Sequence, residues 1–459
     1  MLRYTFMLKP TIFREYDIRG IADTDLLSPD IELLGQAIGT YIQRETGKTV
    51  HLGWDCRLSS ERLGEALARG LVASGCDVTE LGAVPTPVLY HSAHTAKSDG
   101  AVMITGSHNP AEYNGFKLMA GSGTLHGEKI QEVRRIVEAK DFLTGQGSRR
   151  TRDAVSPYVD DVASMFSWDR RIKVVLDGGN GAAGPTMRRL LRKLNVDAYE
   201  LYFDMDGSFP NHHPDPTVEK NLVDLKKAVA EHGADFGVAY DGDSDRIGAV
   251  DEKGNVVWGD YLLLVFAREI LTRKPGATFI GEVKCSQVLY DELAKLGGNP
   301  IMYKTGHSLI KAKMKEEKAE LAGEMSGHMF FADRYYGFDD ALYATCRLME
   351  IVANSGSPLS AQIEGLPRTV NTPELRVDCS DELKFGVVAK VAESFSKTHE
   401  VITVDGVRVL FPHGWGLVRS SNTQPVLVLR FEAETQEQLD EYRNEVESVV
   451  ERALRDSGA

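Results

Sequence analysis

Cysteine is scarce in this chain. Five cysteines, at positions 56, 76, 285, 346 and 379, are scattered over 459 residues, and no two of them form a CxxC pair. That pattern excludes a disulfide-framed secreted domain and a zinc ribbon, and it points to reduced thiols in a cytoplasmic protein. Long apolar runs are absent: none approaches the ~18 residues of a bilayer span, so no membrane association is expected. The opening MLRYTFMLKP is too short and too mixed for a signal peptide, and Met7 is an alternative start. Positive charge is in deficit, with 53 Lys and Arg against 67 Asp and Glu, a formal net charge of −14. That balance argues against a nucleic-acid surface. It also requires any anionic substrate to meet a locally basic site within an acidic global field. Low-complexity segments are missing too.

What is present is an ordinary globular balance, 42% hydrophobic and 26% charged, with material for several cores. Strand and helix signals alternate: TVHLGWD, SSERLGEALARGLVASG and GAVMI read as strand, helix and strand, with Ser59 or Ser60 as N-cap and Gly75 as the stop. The pattern restarts at RIKVVLD and again at VVWGDYLLLVFAREILTRKPGATFIGEV, continuing through PLSAQIEGLP. Repeated βαβ alternation implies largely parallel sheets covered by helices. The last stretch differs. Three strand candidates lie close together between two helices, DELKFGVVAKVAESF and TQEQLDEYRNEVESVVERAL, which is an α+β module. The expected architecture is three tandem α/β domains, residues 1–152, 153–254 and 255–367, followed by an α+β domain over 368–459.

The strongest local signal is DGDSDR, directly after the apolar ADFGVAY. In an extended chain Asp241, Asp243 and Asp245 point the same way. Three carboxylates on one side repel unless a cation joins them, and a hard oxygen-liganded dication, Mg²⁺, fits. An EF-hand is excluded because Arg246 stands where a turn-making glycine is needed and the flanks are strands. A haloacid-dehalogenase-like aspartyl nucleophile is disfavoured because the fifth position is Asp245, a third ligand. The nucleophile is then sought elsewhere. In ITGSHNP, Ser107 also follows a strand, and Gly106 allows close backbone approach. A serine in such a turn ordinarily caps it, and a helix start is expected here. A phosphorylated serine beside a metal would instead be a phosphoryl donor, a reaction that needs mainly positioning and charge neutralisation.

Two further loops carry recognition chemistry. GEMSGH offers Glu324 and Ser326 for adjacent hydroxyls and His328 for proton movement near neutral pH. RSSNTQP offers Arg419, Ser421, Asn422 and Thr423 without a carboxylate, a phosphate-binding inventory. Tyr16 and Arg19 in FREYDIRG, Lys117, Lys284 and His307 could together offset the acidic charge around an anionic sugar. GNGAAG, residues 179–184, matches GxGxxG, with Asp204 about 20 residues beyond its last glycine, but is read as a tight turn with close helix packing. His212 and His213 match no zinc spacing and read as an irregular loop.

TGSHNP, DGDSDR, GEMSGH and RSSNTQP, in this order, resemble the α-D-phosphohexomutase superfamily over essentially the whole chain. FREYDIRG, FPNHHPDPT, KTGHSLIK and PHGWGLVRSSNTQP look like its bacterial phosphomannomutase/phosphoglucomutase branch, and the methionine of GEMSGH leans away from the phosphoglucosamine mutases. The resemblance implies four domains around a central cleft, each giving one loop. It implies Ser107 as phosphoserine, and Asp241, Asp243 and Asp245 as Mg²⁺ ligands joined by the serine phosphate. It implies Glu324 and Ser326 on sugar hydroxyls, and Arg419, Ser421, Asn422 and Thr423 on the substrate phosphate. Lys117 and His328 would transfer protons, Arg19 would join them at the reacting end, and Tyr16, Arg246, Lys284 and His307 would line the cleft. The implied reaction moves phosphate between the 1- and 6-positions of glucose or mannose through a bound glucose 1,6-bisphosphate, in a monomer or weak dimer. One departure is Ser244, where many relatives carry glycine; it puts that loop's backbone in question. The rival readings are a phosphatase using the same groups and a non-catalytic sugar-phosphate or Ca²⁺-binding protein.

Overall fold

A computed structural model describes residues 8–422 and 424–458, which build four sheets. In the first, strands run in the order Ile18–Ile21, Tyr113–Ala120, Gly100–Ile104, Thr49–Trp54, Asp77–Ala83 and Arg149–Thr151. Tyr113–Ala120 is antiparallel to both neighbours and the rest are parallel. Gly100–Ile104 is buried throughout, because helices cover both faces. Val102 and Ile104 meet the core under the helices Ser28–Glu45 and Ser60–Ala73, while Ala101 and Met103 meet Leu89 and Ala93 of Thr86–Ala96. The two former helices touch backbone to backbone at Gly70, where an added Cβ would lie 1.9 Å from the Glu32 carbonyl oxygen. Neither serine at the start of Ser60–Ala73 caps it through its side chain; Ser60 instead donates its hydroxyl to Asp55.

The second sheet has the order Val256–Val257, Ile247–Asp251, Phe236–Tyr240, Ile172–Asp177 and Val196–Leu201. Val256–Val257 pairs across the expected joint at 254/255. The helix Ala341–Ser355, which follows the third sheet in the chain, packs back onto this second sheet. The third sheet runs Asn299–Tyr303, Thr278–Glu282, Leu321–Gly323, Met329–Phe331, with only its last pair antiparallel. The second and third units share one continuous core. PLSAQIEGLP supplies a single helical turn, Leu359–Gln362.

The fourth sheet is entirely antiparallel and has a core of its own beneath the helices Lys384–Phe395 and Gln436–Arg455. A capping box at Thr435 and Gln438 starts the last helix. The two-residue period of its strands sorts the side chains. Val418 of Gly414–Ser420 points into that core, while Trp415 and Leu417 pack on Val283 of the third unit. Arg419 shares the parity of Trp415 and Leu417, so the strand aims it at the cleft. Three mixed α/β domains and one α+β domain therefore surround a central cleft, as expected. The five cysteines are free thiols, and no helix among the described residues is long and apolar enough to cross a membrane.

Candidate active site

The reactive end of the cleft assembles from three domains. Ser107 sits in a turn between two antiparallel strands, not at a helix start. Its φ is 48°, an uncommon conformation for a non-glycine residue, and its N–H donates to Thr105 Oγ1 at 2.8 Å. Arg57, which sequence reasoning did not single out, braces this turn by donating to the carbonyls of Ser107, Asn109, Pro110 and Tyr113. Gly106 is required there, because a Cβ would lie 2.4 Å from the Arg57 guanidinium. The second domain braces the other side: His213 bonds the His108 carbonyl, and Asp215 lies 3.1 Å from His108 Nδ1. The FPNHHPDPT loop thus buttresses the serine turn. The glycines of GNGAAG serve packing, as read: a Cβ on Gly184 would lie 1.9 Å from the Phe203 carbonyl oxygen.

The Ser107 hydroxyl donates to Asp241 Oδ2 at 2.7 Å. Asp241, Asp243 and Asp245 are fully buried in the turn joining Phe236–Tyr240 to Ile247–Asp251. Their convergence comes from a tight loop and not from an extended chain. Asp241 Oδ1 accepts the N–H groups of both Asp245 and Arg246 at 3.1 Å, and Ser244 takes φ 67°. Serine therefore adopts the conformation that glycine takes freely. One oxygen from each carboxylate lies within 4.8 Å of the others. Asp243 Oδ1 and Asp245 Oδ1 are buried acceptors without a hydrogen-bond partner among the described residues. Unpartnered buried carboxylate oxygens facing one another suit a hard divalent cation.

Lys117 lies on the face of its strand opposite Phe116 and Leu118 and inserts its ammonium between Asp243, at 2.7 Å, and Asp245. Burial alone would lower this lysine's pKa, but Asp243 and Asp245 outweigh it and hold the ammonium charged. Burial would likewise raise Asp243, but Lys117 holds it below the usual range. Burial, then the two neighbouring carboxylates, push Asp241 well above that range. Thr86, also absent from the sequence reading, donates to Asp243 at 2.6 Å.

His328 connects this end to the rest of the cleft. Arg246 Nε donates to its Nε2 at 3.0 Å, so that nitrogen is the acceptor and Nδ1 carries the proton. Nδ1 lies 3.1 Å from Asp339 Oδ2, and Asp339 is in turn held by Lys311 at 2.9 Å. His307 stacks on His328 with ring centroids 5.6 Å apart. Burial, then Lys311, push the His307 imidazole well below its ordinary pKa, which keeps it neutral. Glu324 accepts the Gly306 N–H at 2.7 Å and the Ser326 hydroxyl at 3.0 Å. Arg19 donates to Asn109 at 2.9 Å and to Asp17, which places it beside the serine turn.

The opposite end is basic but internally paired. Arg419 directs Nε and Nη2 at Asp405 Oδ2, both at 3.0 Å. Lys284 contacts Glu374 at 2.7 Å and Glu282 at 3.8 Å. Burial would lower its pKa, but these carboxylates keep it charged. Lys284 in turn draws Glu374 down to about 2. Tyr16 donates to the Thr305 carbonyl at 2.8 Å and accepts from Asn422, so it spans the first, third and fourth domains. Ser421 faces its own loop, accepting the Gln424 N–H at 3.1 Å, while Lys384 clamps its carbonyl at 2.6 Å. Thr423 lies outside the described residues, as does the Met1–Met7 stretch with both candidate starts. Asp405, Glu374, Glu282 and Asp339 were missed in the sequence reading; the available signal was that Glu282 ends a strand and Glu374 directly precedes one, whereas Asp339 and Asp405 carried none.

Profiles of all four domains of the phosphoglucomutase/phosphomannomutase family match the chain in order. The alpha/beta/alpha domains I, II and III cover residues 10–144, 156–254 and 258–370, and the C-terminal domain covers 374–449. A phosphomannomutase/phosphoglucomutase of Pseudomonas aeruginosa is 43% identical over 447 residues, 96% of each chain. A phosphoglucomutase of Neisseria gonorrhoeae is 43% identical over 445 residues, again 96% of each. Among solved structures, a phosphoglucomutase/phosphomannomutase family protein of Burkholderia thailandensis superposes with a TM-score of 0.91 at 41% identity, covering 98% of both chains.

Proposed function

The chain belongs to the phosphoglucomutase/phosphomannomutase family, and on that premise we propose that it moves phosphate between the 1- and 6-positions of glucose and mannose phosphates, with Ser107 as a reloadable phosphoryl carrier. The observation that carries this reading is the Ser107 hydroxyl bonded to Asp241 at 2.7 Å, beside two buried carboxylate oxygens that lack partners. Asp241, Asp243 and Asp245 are the residues that would hold Mg²⁺, with the serine phosphate as a further ligand. Bound there, the ion would withdraw charge from the group in transfer.

In the forward half, a free sugar hydroxyl attacks the phosphorus on Ser107. The new sugar O–P bond forms, the Ser107 Oγ–P bond breaks, and the hydroxyl proton passes to a base. The product of that half is a 1,6-bisphosphate, which turns over in the cleft. The reverse half returns its other phosphate to Ser107. His328 is the group for the proton, since Arg246 fixes its tautomer. Lys117 starts protonated and neutralises charge beside the serine. Glu324 and Ser326 take sugar hydroxyls. Arg419, Lys284, Asn422, Ser421 and Thr423 take the phosphate that is not reacting, Tyr16 and His307 line the cleft, and Arg19 joins the reacting end beside the Ser107 turn. We place the enzyme in the cytoplasm, which its free cysteines support, as a monomer or weak dimer.

The test is intact mass together with turnover of glucose 1-phosphate and mannose 1-phosphate, with glucosamine phosphate as control and glucose 1,6-bisphosphate present. A purified chain heavier by one phosphate, and loss of at least about 10³-fold in turnover for Ser107→Ala, are expected. Stoichiometric release of free phosphate would assign a phosphatase instead.

A further inference from the structure

Between the first and third domains lies a groove that the chemistry above does not use. Its volume is about 1220 Å³, larger than most small-molecule sites. The helices Thr86–Ala96 and His307–Glu317 give parts of its two walls. Tyr90 and Lys311 form the partition towards the catalytic cleft. The Lys311 ammonium lies 4.6 Å from the centre of the Tyr90 ring and 2.9 Å from Asp339.

Two features of this groove are unusual in a chain of net charge −14. First, it is locally basic. Lys97, Lys129, Lys311, Lys315 and Lys318 line it, and of these only Lys311 is in an ion pair among the described residues. The acids on the same walls are already engaged: Asp99 by Thr49, Glu316 by Lys313 and Glu320 by Lys274. Second, an aromatic pair, His94 and Tyr336, with ring centroids 4.6 Å apart, stands among those lysines. Phosphate oxygens are strong acceptors, and clustered ammonium groups favour a ligand with several negative charges over a monoanion.

We propose that this groove is a second binding site, separate from the catalytic cleft, for a small molecule carrying a diphosphate group. The diphosphate could be free or part of a nucleotide, whose ring would meet the His94–Tyr336 pair, which bridges the two walls.

The experiment is isothermal titration of inorganic pyrophosphate and of ADP at fixed free Mg²⁺, into the wild-type chain, a Lys97→Glu/Lys315→Glu double variant and Arg419→Ala. Arg419→Ala removes the cleft's own phosphate contact. The double variant is expected to bind about tenfold more weakly or worse, with melting temperature and turnover kept. Arg419→Ala is expected to leave groove binding unchanged. Tighter binding of ADP than of pyrophosphate assigns a nucleotide, and equal binding assigns the free diphosphate. Binding that ignores the two lysines, or that disappears with Arg419→Ala, overturns the proposal.

Discussion

The two ends of the cleft solve opposite electrostatic problems. At the serine end three buried carboxylates face two cations, Lys117 and, 4.0 Å from Asp241, Arg246, and two of their oxygens remain without partners. At the phosphate end each cation already has its counter-ion, Arg419 on Asp405 and Lys284 on Glu374. A buried charge without a partner is costly, so the serine end is completed only by an added cation. An arriving phosphate at the other end must instead displace carboxylates, so its binding is an exchange with a small net electrostatic gain. The mechanical settings differ as well. The aspartate loop and the His328 loop rise from one shared core. The Arg419 loop rides on a domain with a separate core. That domain is tied to the third through Trp415, Arg408 on the Val283 and Cys285 carbonyls, and Arg430 on the Lys284 carbonyl. The serine end is thus short of positive charge and built on two cores, with Ser107 and Lys117 on the first domain, whereas the phosphate end is balanced and attached through a seam of Trp415, Leu417 and two arginines.

The contrast is broken most severely by removing a carboxylate. Asp241→Asn should lower kcat by on the order of 10²–10³ and abolish calorimetric Mg²⁺ binding, while KM for hexose phosphate barely moves. An unchanged kcat would mean that the triad does not serve the reaction. Arg419→Ala should do the reverse, raising KM about 10-fold to 100-fold with little change in kcat, because the phosphate it holds does not react. Equal losses in kcat and KM there would erase the distinction between the two ends.

Acidification sharpens the comparison more gently. Burial, then the charge of Arg246, push the His108 imidazole down to about 4 from 6.5, so the fold prefers it neutral. Between these values the unfolded chain binds the extra proton. The stability contributed above pH 6.5 is therefore lost as pH falls through that window. With 30% of the side chain open to solvent, the loss is roughly 2 kcal/mol at most. Urea titrations from pH 7 to 4 should show this slope, and His108→Gln should flatten it. The smallest expected effect is at Ser244: glycine at φ 67° should add about 1 kcal/mol of stability, read as a higher melting temperature, with turnover unchanged.

The four loops were legible together: three alternating acids, a lone serine after a strand, a Glu/Ser/His cluster and a carboxylate-free polar loop, most of them compatible with an ordinary turn when taken singly, resemble one family in that order. Sheet order was less legible. Val256–Val257 joins the second sheet although it follows a glycine-containing turn, and Ala341–Ser355 returns to that sheet about 100 residues after its strands. The partners of the site residues were not legible at all. Arg57, Thr86, Asp339 and Asp405 are single polar residues, each with no local pattern, and Ser107 meets Asp241 across 134 positions.

The sequence by itself determined the chemical inventory, the strand-ending loops that carry it and the mixed α/β character, because composition and periodicity act over a few residues. Only the tertiary structure decided which charges face each other: that Lys117 sits between Asp243 and Asp245, that Arg246 sets the tautomer of His328, and that Arg419 rests on Asp405. Those choices follow from burying charge among elements distant in the chain, where each ion must find a partner in space and sequence spacing no longer says which.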